Sequence, residues 1–94
     1  MNGDIYNEPW FVYIIECNDS RLYVGIARDV DRRVKEHNTT SKCRYTRYRK
    51  PVRLVYREIQ PNYNIARQRE NEIKRFSRKK KFALVSNGLA KNMH

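Results

Sequence analysis

Two short apolar runs, Phe11-Val12-Tyr13-Ile14-Ile15 and Leu22-Tyr23-Val24-Gly25-Ile26, stand either side of the polar break Glu16-Cys17-Asn18-Asp19-Ser20. β-branched and aromatic residues around an Asn-Asp-Ser break read as a β-hairpin. Side chains alternate faces along a strand, so the length of the connection decides which residues meet. An odd loop gathers Val12, Ile14, Leu22, Val24 and Ile26 on one face. It then gathers Tyr13, Tyr23, Ile15 and Gly25 on the other. An even loop would mix phenols with aliphatics on both faces, so the sorting of the aliphatics favours the odd one. The two phenols are therefore expected to be neighbours. Because both faces stay largely apolar, each needs a cover, which points to a layered α/β domain and away from an open sheet.

The remaining chain supplies that cover. Asp29 is placed to cap the amides of a first helix, with Val30 and Val34 on its inward stripe. Arg33 and His37 lie on the same stripe, and a polar group facing inward needs a partner or a job. Residues 52–58 alternate as a third strand, which Pro51 can precede. After the Pro61-Asn62 turn, a second helix is expected over residues 64–76 with the inward stripe Ala66, Arg69, Glu70, Ile73, Phe76. Glu70, and not Glu72, is the acid that faces inward. Its ordinary use would be an ion pair with Arg69 or Lys74; its chemical use would be as a hard oxygen ligand for a metal. Ser77 can cap a short last helix ending near Leu84, and the tail from Ser86 onward is expected to fray. The expected domain plan is an extension over residues 1–9, a folded unit over 10–85 and a flexible tail over 86–94. The fold class is α/β (α+β): a three-stranded antiparallel sheet flanked by helices, in the order ββαβαα.

Charge narrows the function. The 94 residues carry 21 Lys and Arg against 10 Asp and Glu, a net of +11. Residues 1–47 hold 8 bases and 7 acids (net +1), and residues 48–94 hold 13 bases and 3 acids (net +10). Seven bases and no acid lie in residues 42–57. Such a field concentrates polyanions, so nucleic acid is the expected partner. The candidate contacts are Lys42, Arg44, Tyr45, Arg47, Tyr48, Arg49 and Lys50, whose two interleaved rings can stack on bases, with Arg78, Lys79 and Lys80 further on. No apolar run approaches the roughly 20 residues of a membrane span. Residues 1–9 lack a basic-then-apolar leader, and Cys17 and Cys43 have neither CxxC nor zinc spacing. A cytoplasmic protein without a membrane or an identifiable protein partner is expected.

Phe11-Val12-Tyr13, Tyr23-Val24-Gly25, Arg33 and His37 on the following helix, and Glu70 on a later one resemble, in order, the GIY-YIG endonuclease superfamily. The two tyrosines and the second glycine match; the first motif's glycine and isoleucine are replaced. Arg44-Tyr45-Thr46-Arg47 before Pro51-Val52 is similar to the small single-domain bacterial members. Where some members carry a lysine after the second glycine this chain has Ile26, and the downstream asparagine of several has no near counterpart. The resemblance implies phosphodiester hydrolysis with one Mg2+ or Mn2+; the expected substrate is DNA, structured or damaged, in repair or recombination. It implies catalytic roles for Tyr13, Tyr23, Arg33, His37 and Glu70, with Glu70 on the metal, Arg33 on the phosphate and either tyrosine acting on water as phenolate. The alternatives are a non-catalytic DNA- or RNA-binding module of the same fold, or a basic RNA-associated protein. An acid facing phosphate would repel it without a metal, which favours the enzyme.

Overall fold

The computed structural model describes residues 8–92, with side chains through Gly88. Strands β1 (Trp10–Glu16), β2 (Leu22–Ala27) and β3 (Arg53–Gln60) alternate with helices α1 (Val30–Thr39), α2 (Tyr63–Lys74) and α3 (Arg78–Asn92) in the order ββαβαα. The sheet is antiparallel throughout, in the order β2-β1-β3.

The hairpin has the odd connection. Tyr13 pairs with Gly25, Ile14 with Val24 and Ile15 with Tyr23. The period of two then sorts the side chains into two cores. Val12, Ile14 and Val24 pack with Ala66 and Ile73 of α2 and Val85 of α3. Tyr13, Ile15 and Ala27 pack on the other face with Val30 of α1, Val52 and Cys17. The sheet is thus covered on both sides, α1 over one face and α2 with α3 over the other. Each fully buried aliphatic contributes about 1.5–3 kcal/mol, so this sorting is what holds the register.

Both caps form as the residue types dictate. The Asp29 carboxylate accepts from the Arg32 amide at 3.1 Å, and the Asn62 side chain accepts from the Ile65 amide at 2.9 Å. Three boundaries differ from expectation, the first being α2, which ends at Lys74 and not at residue 76. The third strand lies over Arg53–Gln60, with Val52 buried just ahead of it. α3 does not stop near Leu84 but continues to Asn92, so the stretch after Ser86 expected to fray is helical that far. Gly88 explains part of this: a Cβ there would come within 2.7 Å of the Tyr56 ring, so the bare backbone lets the extra turns lie on β3. The expected extension over residues 1–9 lies almost wholly outside the described residues.

The basic segment between α1 and β3 is fastened at three points. The Asn38 side chain brackets Val52, donating to its carbonyl at 2.9 Å and accepting from its amide at 2.7 Å. The hairpin turn holds the other side: the Asn18 amide donates to the Arg49 carbonyl and its side chain to the Lys50 carbonyl. The third fastening is His37 to Thr46, which belongs to the site.

Candidate active site

Tyr13 reaches the site from the central strand and is 1% exposed. Its hydroxyl lies 3.0 Å from His37 Nε2, and His37 Nδ1 lies 2.9 Å from Thr46 Oγ1. Tyr13, His37 and Thr46 are all buried, so this hydrogen-bonded row crosses from β1 through α1 to the basic segment. Burial and the nearby Arg33 guanidinium hold the His37 imidazolium down, below the ordinary value of 6.5. The neutral ring then has one donor and one acceptor nitrogen, which suits two hydroxyl neighbours.

Gly25 is what makes room for the phenol. It is Tyr13's partner across the hairpin, and a Cβ on it would meet the Tyr13 hydroxyl at 2.7 Å. The glycine of the second motif therefore has a steric reason that lies on the neighbouring strand.

Tyr23 stands beside this row. Its ring centroid is 5.3 Å from that of His37 and 5.4 Å from that of Tyr45. The two phenols do share a face, as the parity of the hairpin requires. Without a metal, burial dominates the titration of both. Burial pushes Tyr13 above its ordinary value of 10.0 although Arg33 pulls it down. Burial also pushes Tyr23 up to about 12, with Cys43 adding to the effect. In the metal-free chain, the loss of water around each phenol outweighs the one guanidinium that favours its charged form.

Arg33 lies on the inward stripe of α1, with its side chain 43% exposed, so the guanidinium reaches solvent at the edge of the cluster. It donates to Glu36 Oε1 at 2.9 Å. Glu36, one turn away along the helix, orients the guanidinium. A small cavity of about 180 Å3, lined by Arg33, Glu36, His37, Thr40, Lys42 and Cys43, opens in front of these groups. Burial alone would raise the Cys43 thiol, but hydrogen bonds with Thr46 and Tyr45 more than offset that and lower it.

Glu70 comes from the helix on the other face of the sheet and is 6% exposed. Its charge is among those acting on Tyr13, so the two lie within electrostatic reach of each other. β2 is an edge strand, which lets groups from the two layers approach around it. Lys74 Nζ holds Glu70 Oε2 at 3.1 Å, and Arg67 stands 3.7 Å from Oε1. Oε1 itself is buried without a hydrogen-bond partner. Arg69, the other expected partner, turns instead to Glu58 and Glu72.

Among the described residues no group of three His, Cys, Asp or Glu gathers as a metal cage. A single carboxylate with one unsatisfied oxygen still fits Mg2+ or Mn2+, which keep several waters and take substrate phosphate oxygens beside one or two protein carboxylates. Glu70 is the residue here that would hold such an ion.

The sequence matches the GIY-YIG catalytic domain over residues 9–83. The chain belongs to the GIY-YIG family. A UPF0213 protein of Staphylococcus saprophyticus is 45% identical over 78 residues, covering 83% of this chain and 95% of that one. A UPF0213 protein of Staphylococcus aureus is 47% identical over 75 residues, covering 80% and 92%. The solution NMR structure of the UPF0213 protein BH0048 from Bacillus halodurans superposes with a TM-score of 0.54, at 45% identity and 83% coverage of each chain. Membership of the GIY-YIG family aligns this chain with nucleases and makes nucleic acid the partner class.

The basic segment is more ordered than its composition suggests. Tyr48 is 84% exposed and stands out as a stacking ring should. Tyr45 does not: its ring is half-buried against Tyr23, with the Arg49 guanidinium 4.5 Å above it. Thr46, the neighbour of Tyr45 in sequence, is the residue hydrogen-bonded to His37. Arg49 is also spent on Asp19 and the Tyr45 carbonyl, Arg47 on the Ser41 carbonyl and Lys50 on the Thr40 carbonyl. Lys42, Arg44, Arg78, Lys79 and Lys80 are exposed. Thr46, Glu36 and Cys43 join the cluster without having been singled out as site residues. Thr46 carried one signal, a small hydroxyl in the middle of a basic run.

Proposed function

We propose that this chain is a metal-dependent endonuclease that hydrolyses phosphodiester bonds in DNA at the Tyr13–Arg33–His37–Glu70 cluster. The observation that carries the reading is the buried Oε1 of Glu70, which has no hydrogen bond and only the Arg67 guanidinium at 3.7 Å, within electrostatic reach of Tyr13. A buried acceptor left without a hydrogen bond costs about 1–3 kcal/mol, and a metal cation bound at that oxygen would relieve it.

When bound there, Mg2+ or Mn2+ would supply a Lewis acid that polarises a phosphate oxygen and offsets charge on the leaving group. The chain's own residues do the rest. Arg33, already oriented by Glu36, pairs with the phosphate as its charge grows. Tyr13 orients the attacking water through its hydroxyl. A neutral His37 accepting at Nε2 would keep the phenol proton turned away from the water and leave a lone pair of the Tyr13 oxygen to accept from it. Tyr23, whose hydroxyl is hydrogen-bonded to the Cys43 side chain, serves to position. Structured or damaged DNA in repair, and a cytoplasmic location, are the setting we propose for this activity. No helix among the described residues is long and apolar enough to cross a membrane.

Incubation with branched, nicked, single-stranded and plain duplex DNA, with and without Mg2+ or Mn2+, tests the reading. Cleavage that requires the metal is expected. Binding on every substrate with cleavage on none would instead support a non-catalytic binding module of the same fold.

A further inference from the structure

A second basic site lies outside the catalytic cluster. Arg21 and Leu22 at the end of the hairpin turn, Tyr45, and Arg78 and Lys81 at the start of α3 line a cleft of about 230 Å3. Arg78 and Lys81 are three residues apart on the helix and so face the same way. The Arg78 guanidinium lies 5.1 Å over the Phe82 ring and donates to the Ser20 carbonyl at 3.4 Å, which steadies it at the cleft wall. Arg21 stands 3.6 Å from Asp19, but that carboxylate is held more closely by Arg49, at 3.1 Å. Among the described residues neither Arg78 nor Lys81 ion-pairs with an acid. Three cations converging on one concavity repel each other until an anion enters.

The position of Tyr45 gives that anion an identity. One side of its ring closes the cleft, and the ring also packs on Tyr23, which in turn lies against His37. The cleft is therefore one aromatic wall away from the catalytic face. We propose that it is a phosphate-binding subsite, held by Arg21, Arg78 and Lys81, that takes a second phosphate of the strand whose scissile phosphate lies at Arg33. The identity of the strand rests on the nuclease reading; the binding of phosphate does not. The inward turn of Tyr45 then has a use: the ring separates two phosphate sites and spaces them along one strand.

The experiment is an amide-resolved NMR titration of the full chain in metal-free buffer with inorganic phosphate. Saturable shifts at Arg21, Leu22, Tyr45, Arg78 and Lys81 are expected, abolished in Arg78→Gln/Lys81→Gln while its remaining spectrum stays that of the native fold. Shifts scattered over the basic surface, or unchanged in the double variant, overturn the subsite. DNA binding measured against salt gives the second arm. The same variant should lower the slope of log K against log salt by about 0.7–0.9 for a lost contact. Arg53→Gln/Arg57→Gln, which removes equal charge from the opposite edge strand, should lower it less; equal losses would assign the effect to the general field and overturn the proposal. A backbone phosphate predicts equal affinity for oligonucleotides with and without a 5′-phosphate, and a terminal phosphate predicts about tenfold tighter binding of the phosphorylated one. Failure of the titration beside metal- and Glu70-dependent cleavage removes only the subsite. A saturable titration beside no cleavage removes only the nuclease.

Discussion

At the residue scale, the site is governed by what burial does to hydroxyls and imidazoles. Gly25 and Tyr13 occupy the two sides of one contact, since a methyl on Gly25 would fall 2.8 Å from the Tyr13 ring carbon that bears the hydroxyl. Tyr13 is fully enclosed and tied to His37, so it cannot swing aside cheaply. Gly25→Ala should therefore destabilise the fold by about 1–3 kcal/mol. For a domain of this size that lowers the melting midpoint by about 4–8 °C per kcal/mol, which a thermal melt reads directly. His37 gives a pH prediction. Its folded value lies below the ordinary 6.5, so the unfolded chain takes up a proton that the folded chain resists. The stability it contributes is present above pH 6.5 and declines as pH falls through the folded value. Melting midpoints should drop on that acid side, and His37→Asn should flatten the drop. A midpoint that rises on acidification would contradict the assignment.

At the scale of elements, the question is what holds α2, the helix that carries Glu70, against the sheet. Glu58 on β3 accepts from Tyr56 Oη at 2.5 Å, Gln60 Nε2 at 2.6 Å and Arg69 Nε at 2.8 Å. Burial alone would raise this carboxyl; the Arg69 pairing more than offsets it and lowers it. Glu58→Ala should cost about 1–3 kcal/mol in denaturant unfolding and weaken cleavage through displacement of α2. The lesson about legibility sits here. The hairpin could be read from sequence because its period of two leaves one parity that sorts phenols from aliphatics. Arg33 and Glu70 could be picked because helical period puts them on stripes with Val30, Val34, Ala66 and Ile73. Contacts that cross elements left no such trace. Nothing in the spacing of His37 and Thr46 says that they touch, and Arg69 could not be seen to prefer Glu58 on a distant strand to Glu70 beside it. The sign of the tyrosine shifts was hidden for the same reason: the charges around a phenol can be counted in a sequence, but its loss of water cannot.

At the scale of the whole molecule, charge is the main determinant of binding. A net of +11 on 94 residues should give DNA binding that depends little on base sequence. Each phosphate neutralised adds about −0.9 to the slope of log K against log salt on duplex DNA, so affinity should fall steeply between low and moderate salt. Anisotropy titrations at several salt concentrations check this, and a flat salt response would contradict the basic surface as the binding face. The charge alone cannot distinguish a nuclease from a binding module, so the test falls on the inward carboxylate. The most direct test is single-turnover cleavage by wild type, Glu70→Ala and Arg33→Ala with Mg2+ or Mn2+, with DNA binding measured in parallel. Loss of Arg33 should slow cleavage by at least about 100-fold, the scale of one transition-state donor. Loss of Glu70 should slow it on the order of a thousandfold, the several kcal/mol that a metal supplies, with binding retained in both. Cleavage that survives Glu70→Ala at the wild-type rate would contradict the site.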